Sequence, residues 1–430
     1  MALGGGTYTV QNKILSGAYF KFLSAQKATA TIGDRGVSAL ALNLNWCKDD
    51  DIFTVTANEF IRDSLSIFGY DYSAPELKYL REIFLHTKEA HIYRLNGGGG
   101  VKASNAYATA KYSGTRGNDI KIVIASNVDE PSQFDVSVYV ENTVVFTQTV
   151  ANATQLDDND FVVWKDDAEL AVTAGTALLG GENGTGTETS AHQAFLNKLE
   201  SYPDTNAVGY IGDTDEIKSL YCNWAKRIRD EIGIYLQAVV YNKSADSVAV
   251  VNVKNSADLV AWVTGVIAGT AVNKSATNMK YDGELTVNAS YTQKQLENCI
   301  KAGEFVFHNV GDEVRVLEDL NSFTSITDDY GEIFCDNQSI RVIDEIARAT
   351  ATVFAKKYLG KVPNDADGRI SLWSDVCRVL QQLNDIRAIE NFDANEVLVE
   401  QGDTKKSVLI NASVVIVNTM TKLYMKTIIA

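Results

Sequence analysis

The period of the hydrophobic positions changes several times along the chain. Between residues 56 and 84 it is helical. Thr56-x-x-Glu59 is a capping-box signature, Phe60, Ile61, Leu65 and Phe68 follow at helical spacing, and Gly69 supplies the stop. Ser73-x-x-Glu76 repeats that signature ahead of Leu77, Leu80 and Phe84. Residues 91–95 read as a short strand, ended by glycines 97–100. From 101 to 179 the helical period disappears. Short β-prone runs at 120–124, 134–140, 144–150 and 161–164 alternate with Asn, Asp and Gly, which predicts a small all-β unit.

Glycines at 97–100 and 180–186 flank this stretch, as expected of flexible joints around an inserted domain. The α/β texture then returns. Ser190-x-x-Gln193 opens a helix, 207–211 is a strand, and Asp215 and Glu216 start a helix carrying Ile217, Leu220, Trp224 and Ile228 on one face. Gly233 ends it, and residues 234–241 form an apolar strand. Strand, helix and strand in that order predict a parallel pair with a right-handed crossover. A strand at 248–253 and a helix at 259–267 extend the layer. Helices are expected at 338–359 and 371–389, and β-prone segments at 397–399, 408–410, 414–417 and 423–429 close the chain.

The pattern predicts an α/β (α+β) multidomain fold. An N-terminal arm is expected at 1–22, a first α/β core segment at 23–100 and an inserted β-rich domain at 101–180. A second α/β core segment follows at 181–337, then a C-terminal helical region at 338–404 and a C-terminal β arm at 405–430. Alternating residues near Tyr8, Val10 and Phe20 make the N-terminus strand-like, and the C-terminus ends the same way. Neither strand has a partner nearby in sequence. Each either docks into a neighbour's sheet or folds back on its own core. A chain with a docking arm at both ends links two neighbours and builds an open helical or ring-stacked polymer.

Composition narrows the function. The 430 residues are 45% hydrophobic and 22% charged, enough to bury a sizeable core. The formal net charge is −16, which argues against nucleic acid or an anionic membrane as partner. Residues 341–430 hold 12 basic and 11 acidic side chains, so they are near neutral while the first 340 residues carry −17. Five cysteines, no two closer than 36 residues, form neither a disulfide framework nor a zinc knuckle. The first ten residues lack a basic and apolar leader, and no stretch of 18 apolar residues occurs, so a soluble chain folded in a reducing cytoplasm is expected.

Sites of chemistry are weakly signalled. Gly181-x-x-x-x-Gly186 imitates a phosphate loop, but Thr187-Glu188 stands where the lysine belongs, and a carboxylate repels polyphosphate. Asp365-x-Asp367-Gly368 resembles the middle of a calcium loop, yet Pro363 and Ser374 occupy the two terminal ligand positions; a helix–helix turn is the better reading. The run 157–160 reads as a solvated loop. His86 and His91 do not share a helical face, His192 and His308 stand alone, and there is no H-E-x-x-H or G-x-S-x-G. No catalytic, cofactor or metal residue is expected, and no enzyme.

Several segments resemble contractile phage tail sheath proteins of the Gram-positive type. They are Gly6-Thr7-Tyr8-Thr9-Val10-Gln11-Asn12-Lys13 with Ser16-Gly17-Ala18-Tyr19-Phe20, then Arg35-Gly36-Val37, Leu179-Gly180-Gly181-Glu182-Asn183-Gly184 and Gly303-Glu304-Phe305-Val306-Phe307. Asp319-Leu320-Asn321-Ser322-Phe323-Thr324, Ile340-Arg341-Val342-Ile343-Asp344, Tyr358-Leu359-Gly360-Lys361-Val362-Pro363-Asn364 and Met420-Thr421-Lys422-Leu423-Tyr424-Met425 continue the likeness in order. Ser16 stands where many relatives carry Pro.

The resemblance implies a sheath subunit that stacks as hexameric rings around a tail tube. It implies contraction from a metastable extended state that drives the tube through a cell envelope. The inserted domain would face outward. The N-arm, with Tyr8, Val10, Asn12, Lys13 and Tyr19, and the C-arm, with Val408, Ile410, Val415, Val417, Leu423 and Tyr424, would reach neighbouring copies. Arg378 and Arg387 are candidates to face the tube. The implied partners are other copies of the chain, the tube protein, and baseplate and tail terminator proteins, with no nucleic acid, membrane or cofactor. The place is a virion tail or phage-tail-like particle, made in the host bacterial cytoplasm. An α/β nucleotide-binding enzyme and a different filament-forming protein stay open as alternatives.

Overall fold

The computed structural model describes residues 35–186 and 188–429. The expected N-terminal arm, with Tyr8, Val10, Asn12, Lys13 and Tyr19, lies outside the described residues. Two compact units separate. One holds residues 35–345, 386–390 and 416–429, the other residues 346–385 and 391–415. Helices and several sheets share the chain, so the α/β multidomain class stands.

In the larger unit the chain enters strand β1 (Val37–Leu42), whose six residues are all buried. Strand β2 (Phe53–Thr56) leads into helix α1 (Ala57–Phe68) through the predicted capping box. The Thr56 hydroxyl accepts from the Glu59 N–H at 3.2 Å, and the Glu59 carboxylate accepts from the Thr56 N–H at 2.9 Å. Gly69 stops the helix at φ +77, with Trp46 so close that a Cβ would meet it at 2.8 Å. The second box does not form. The Ser73 hydroxyl donates to Asp71 at 2.7 Å instead, and Pro75 takes the first helical position of a short turn leading into helix α2 (Lys78–Phe84). Proline has no N–H to be capped and its φ suits that position. Strand β3 (Glu89–Arg94) follows.

The next strands are β4 (Ala108–Ala110), β5 (Ile120–Ser126), β6 (Phe134–Val140), β7 (Thr143–Val150), β8 (Val162–Trp164) and β9 (Thr173–Ala177). They form an antiparallel sheet in the order β7-β6-β5-β9 and a β4–β8 pair. Ile120, Ile122, Ile124, Val136, Val138 and Val140 alternate inward, and Trp46, Phe161 and Trp164 fill the same core.

The glycine joints are packed rather than flexible. Val101 and Glu182 exchange backbone hydrogen bonds at 2.8 and 3.0 Å, and the Gly184 N–H donates to the Asn96 carbonyl at 2.9 Å. A Cβ on Gly184 would lie 2.1 Å from the Gly98 oxygen. Glycine is needed here because two backbones touch, not because the chain must bend.

Helix α3 (Thr189–Leu199) begins after Glu188, so Ser190 lies inside it and Gln193 bonds Asn197 rather than closing a box. Strand β10 (Ala207–Gly209), helix α4 (Asp215–Arg227) and strand β11 (Gln237–Tyr241) make the predicted parallel crossover. Asp215 and Glu216 sit at the positive end of α4, and Lys226 and Arg227 at its negative end. Strand β12 (Val250–Val253), helix α5 (Val260–Gly269), helix α6 (Gln293–Lys301) and strand β13 (Glu304–Phe305) follow. Among the described residues the central sheet runs β13-β12-β11-β10-β1-β3-β2, parallel except at β2. Its middle strands are apolar on both faces because helices cover both.

Helix α7 (Asn337–Val353) continues as a wider turn over Phe354–Tyr358. In the smaller unit, helix α8 (Ala366–Asp385) packs on the hairpin Val397–Gln401/Val408–Ala412. The Trp373 indole N–H donates to the Val397 carbonyl at 3.0 Å. Asp365 caps α8 by accepting from the Gly368 N–H at 2.8 Å, the turn role preferred over calcium from the sequence. Helix α8 starts five residues earlier than expected and ends at Asp385, so Arg387 is not on it. Arg387 occupies a left-handed turn at φ +60, which the helix cannot continue through.

Candidate assembly interface

The start of α7 is a buried polar knot. Asn337, Gln338, Ser339 and Arg341 are each no more than 1% exposed, as is Asp319. The Asp319 carboxylate accepts from Arg341 Nη2 at 2.6 Å, Asn337 Nδ2 at 3.0 Å and the Ala276 N–H at 2.9 Å. Gln237 Nε2 donates to Asn337 Oδ1 at 2.8 Å, tying the knot to β11. Arg341 Nη2 also reaches the Lys274 carbonyl at 2.8 Å, while its Nε and Nη1 find no hydrogen-bond partner among the described residues.

Asp336 caps α7 by accepting from the Ser339 N–H at 3.0 Å. Burial, and then the charge of nearby Asp319, push its carboxyl up from 3.8 to about 6. A carboxyl raised on folding favours the fold when protonated, so its contribution is full below about 4 and is lost as pH rises through about 6. Asp336→Asn keeps a capping oxygen and removes the charge. We expect it to raise the urea midpoint near pH 7.5 by the equivalent of about 1–3 kcal/mol, with the gain shrinking towards pH 4. Denaturation curves of both proteins across that range check the sign.

From this knot the C-terminal segment leaves the protein. Gln338 grips it at both sides, its Nε2 donating to the Val417 carbonyl and its Oε1 accepting from the Thr419 N–H, each at 3.1 Å. Ser339 and Asn418 exchange side-chain contacts at 3.0–3.1 Å, and the Val417 N–H donates to the Ala388 carbonyl at 3.0 Å. Beyond Thr419 no regular structure forms through residue 429. Met420, Leu423, Tyr424, Met425, Ile428 and Ile429 are all more than four-fifths exposed. The strand expected at 423–429 is absent because a strand needs a ladder partner and the described residues supply none here.

The other predicted C-arm residues are placed differently. Val408 and Ile410 pair with Gln401 and Val399 inside the chain's own hairpin. That hairpin has two strands, and its outer edges are unpaired among the described residues. Leu398 and Leu409 stand half-exposed on the face away from Val397. Val415 is half-exposed. Of the two candidate tube-facing arginines, Arg378 is ion-paired with Asp375 at 2.9 Å, and Arg387 is exposed. Sequence reasoning missed the Gln338–Ser339 grip, whose partners lie about 80 residues away.

A cavity of about 360 Å³ opens at the carboxyl ends of β1 and β10, where doubly wound folds bind ligands. Asn43, Leu44, Tyr79, His192 and Tyr210 line it. His192 contacts the Tyr221 hydroxyl at 2.9 Å, and burial pulls its pKa down to about 4, so it is neutral near pH 7. Thr214 and Ile217 at the start of α4 also line the cavity, with the carboxylates of Asp215 and Glu216 in the same turn. Asp215 is paired with Lys243 at 2.8 Å and with Lys218 at 3.6 Å. No described helix is long and apolar enough to cross a membrane.

The chain thus combines a multidomain α/β core, an all-β insert and an exposed apolar C-terminal segment. Three family descriptions match in order: a phage tail sheath β-sandwich domain over residues 98–183, a phage tail sheath central domain over 185–322 and a phage tail sheath C-terminal domain over 329–430. The sheath tail protein of Desulfitobacterium hafniense shares 32% identity, with a TM-score of 0.81, and the match covers 95% of this chain and 99% of that one. The phage-like element PBSX protein XkdK of Bacillus subtilis is 27% identical, over 98% of this chain and 99% of its own. The helical sheath of the anti-feeding prophage in its contracted state shares the fold, with a TM-score of 0.60 at 12% identity, over 96% of this chain and 99% of that one. The chain belongs to the contractile phage tail sheath family.

Proposed function

We propose that this chain polymerises as stacked hexameric rings around a tail tube and contracts from a metastable extended state to drive the tube through the target envelope. One observation carries the reading: an apolar C-terminal segment, gripped at its root by Gln338 and Ser339, leaves the protein with its side chains in solvent. In a neighbouring copy, the hairpin 397–401/408–412, open-edged among the described residues, offers a ladder to this segment. Residues 1–22 serve as the second link, through Tyr8, Val10, Asn12, Lys13 and Tyr19. The β-rich region near 101–180 faces outward, and the near-neutral last quarter faces the tube.

The motor is conformational. No hydrolysis is needed if each subunit gains a few kcal/mol of new contacts on contraction, about the burial of one or two apolar side chains, summed over many coupled copies. The subunit is not an enzyme and needs no cofactor. Its partners are further copies, the tube, the baseplate and the tail terminator, and it is made in the cytoplasm of the host bacterium.

Electron microscopy of the concentrated full-length chain tests the reading. Hollow striated tubes or rings are expected; dispersed single particles at every concentration would overturn it. The tube-facing surface has its own test. Arg378→Glu with Arg387→Glu should weaken co-sedimentation with the tube at least severalfold, more strongly at low salt. Unchanged co-sedimentation would remove these arginines from that surface. The nucleotide-binding alternative rests on the strand–helix–strand region and on residues 181–186, and backbone packed against that stretch speaks against it, since a Cβ on Gly186 would lie 1.7 Å from the Leu95 oxygen.

A further inference from the structure

We propose that Glu89, His91 and Asp204 form a binding site for one divalent transition-metal ion of the zinc class. One donor atom from each residue lies within 4.8 Å of the other two. Glu89 and His91 are two apart on β3 and so project from the same face of the sheet. Asp204 comes from the loop between α3 and β10, which packs Tyr202 against the His91 ring at a centroid distance of 4.7 Å.

The imidazole is the informative member. His91 is 2% exposed, and its Nε2 makes no hydrogen bond among the described residues. The Asp204 carboxylate oxygen is 3.5 Å from that nitrogen, close enough for electrostatic attraction but too far for a good hydrogen bond. A buried ring nitrogen without a partner is costly, and the Asp204 carboxylate stands next to it. On its other side, Nδ1 lies 2.9 Å from the Thr54 hydroxyl, its neighbour across the β2–β3 ladder. A proton on Nδ1 donated to Thr54 leaves the Nε2 lone pair free beside Asp204, in the same cluster as Glu89. Metal-binding histidines are oriented in this way by a hydrogen bond to the ring's second nitrogen.

The donor set also selects the ion. One neutral imidazole and two carboxylates supply one nitrogen, two oxygens and two negative charges, which suits Zn²⁺ and its first-row neighbours better than Ca²⁺ or Mg²⁺. Three protein donors leave a fourth tetrahedral position for water. The Asp204 side chain is 59% exposed, which gives the ion a way in. The clamp has a structural consequence. Two residues after Asp204, the Asn206 side-chain oxygen accepts the N–H groups of Gly36 and Val37 at 2.9 and 3.1 Å. An ion that ties Asp204 to β3 therefore fixes the loop that holds the entry into β1.

The test uses the full-length chain, stripped with a chelator, dialysed and titrated with Co²⁺ as a spectroscopic probe. One equivalent per chain is expected, with visible d–d bands and no thiolate charge-transfer band. Zn²⁺ should displace the Co²⁺ and raise the melting temperature of the stripped protein. Asp204→Asn alters an exposed side chain and should fold normally, yet weaken Co²⁺ binding at least roughly tenfold; Glu89→Gln should do the same. Absence of saturable binding in the unmodified chain would overturn the site, as would equal binding in both variants or bands of thiolate origin. None of these readouts depends on polymerisation, so the site stands or falls apart from the sheath reading.

Discussion

Deleting residues 420–430 is expected to leave the subunit as stable as before and to abolish its polymerisation. Both halves follow from exposure. Met420, Leu423, Tyr424, Met425, Ile428 and Ile429 bury almost nothing within the chain, so their removal costs almost no burial. The grip on Val417 and Thr419 by Gln338 is retained. The urea midpoint should therefore move by no more than the equivalent of about 0.5 kcal/mol, as for surface changes elsewhere. In the proposed polymer the same side chains would dock as a strand on a neighbouring copy. Fully burying an apolar side chain is worth about 1.5–3 kcal/mol, so six of them, with the hydrogen bonds of the ladder, offset much of the cost of ordering the segment. Losing that contact at every subunit should leave no tubes under the microscope. Leu423→Asp with Tyr424→Asp should do the same without shortening the chain. Tubes formed by the deletion variant would place the links elsewhere, and a large fall in its midpoint would mean that the segment belongs to its own subunit.

Local features of the fold were legible and distant partners were not. The Thr56–Glu59 box and the Gly69 stop are encoded within a few residues, and both form as the sequence predicts. Ser73 and Glu76 carry the same letters and fail, because Pro75 between them claims the first helical position. The crossover β10–α4–β11 was legible from its alternation of apolar strand and amphipathic helix. Trp46 in the core of the β-rich sheet was not, since nothing nearby in sequence announces a partner more than 70 residues on. The glycines near 184 show a different ambiguity. Gly is used for bending and for close approach alike, and only the bridge between Val101 and Glu182 tells which. Of the candidate site, the lack of a partner nearby in sequence for the end at Leu423 and Tyr424 was legible, but not whether that end folds back on its own core, nor that it forms no strand. The β-propensity of Val408 and Ile410 was legible too, but not their pairing within one chain, because propensity does not name the partner strand.

The stability of the larger unit should depend heavily on the Asp319–Arg341 pair, and unequally on its two members. Both side chains are essentially fully buried and 2.6 Å apart, so removing either leaves a charge in a dry interior. Breaking such a pair costs about 3–5 kcal/mol, a large share of the roughly 5–15 kcal/mol that holds a typical domain together. The two losses differ in what remains. Arg341→Met leaves the Asp319 carboxylate with donors at Asn337 and Ala276, and a carboxylate can also escape burial by taking a proton. It also removes two guanidinium nitrogens that already lack partners among the described residues and already carry a desolvation cost. Asp319→Asn leaves a guanidinium with only neutral acceptors, the amide oxygen and the Lys274 carbonyl, and a charge that it cannot give up. Asp319→Asn should therefore fall at the upper end of that range and Arg341→Met at the lower. Urea denaturation at neutral pH reads the order directly. In the double variant the two costs should fall well short of their sum, because the second substitution removes the charge that the first had stranded. The reverse order would mean that the idle nitrogens of Arg341 are satisfied in solution, and that the arginine rather than the aspartate is the better-served partner.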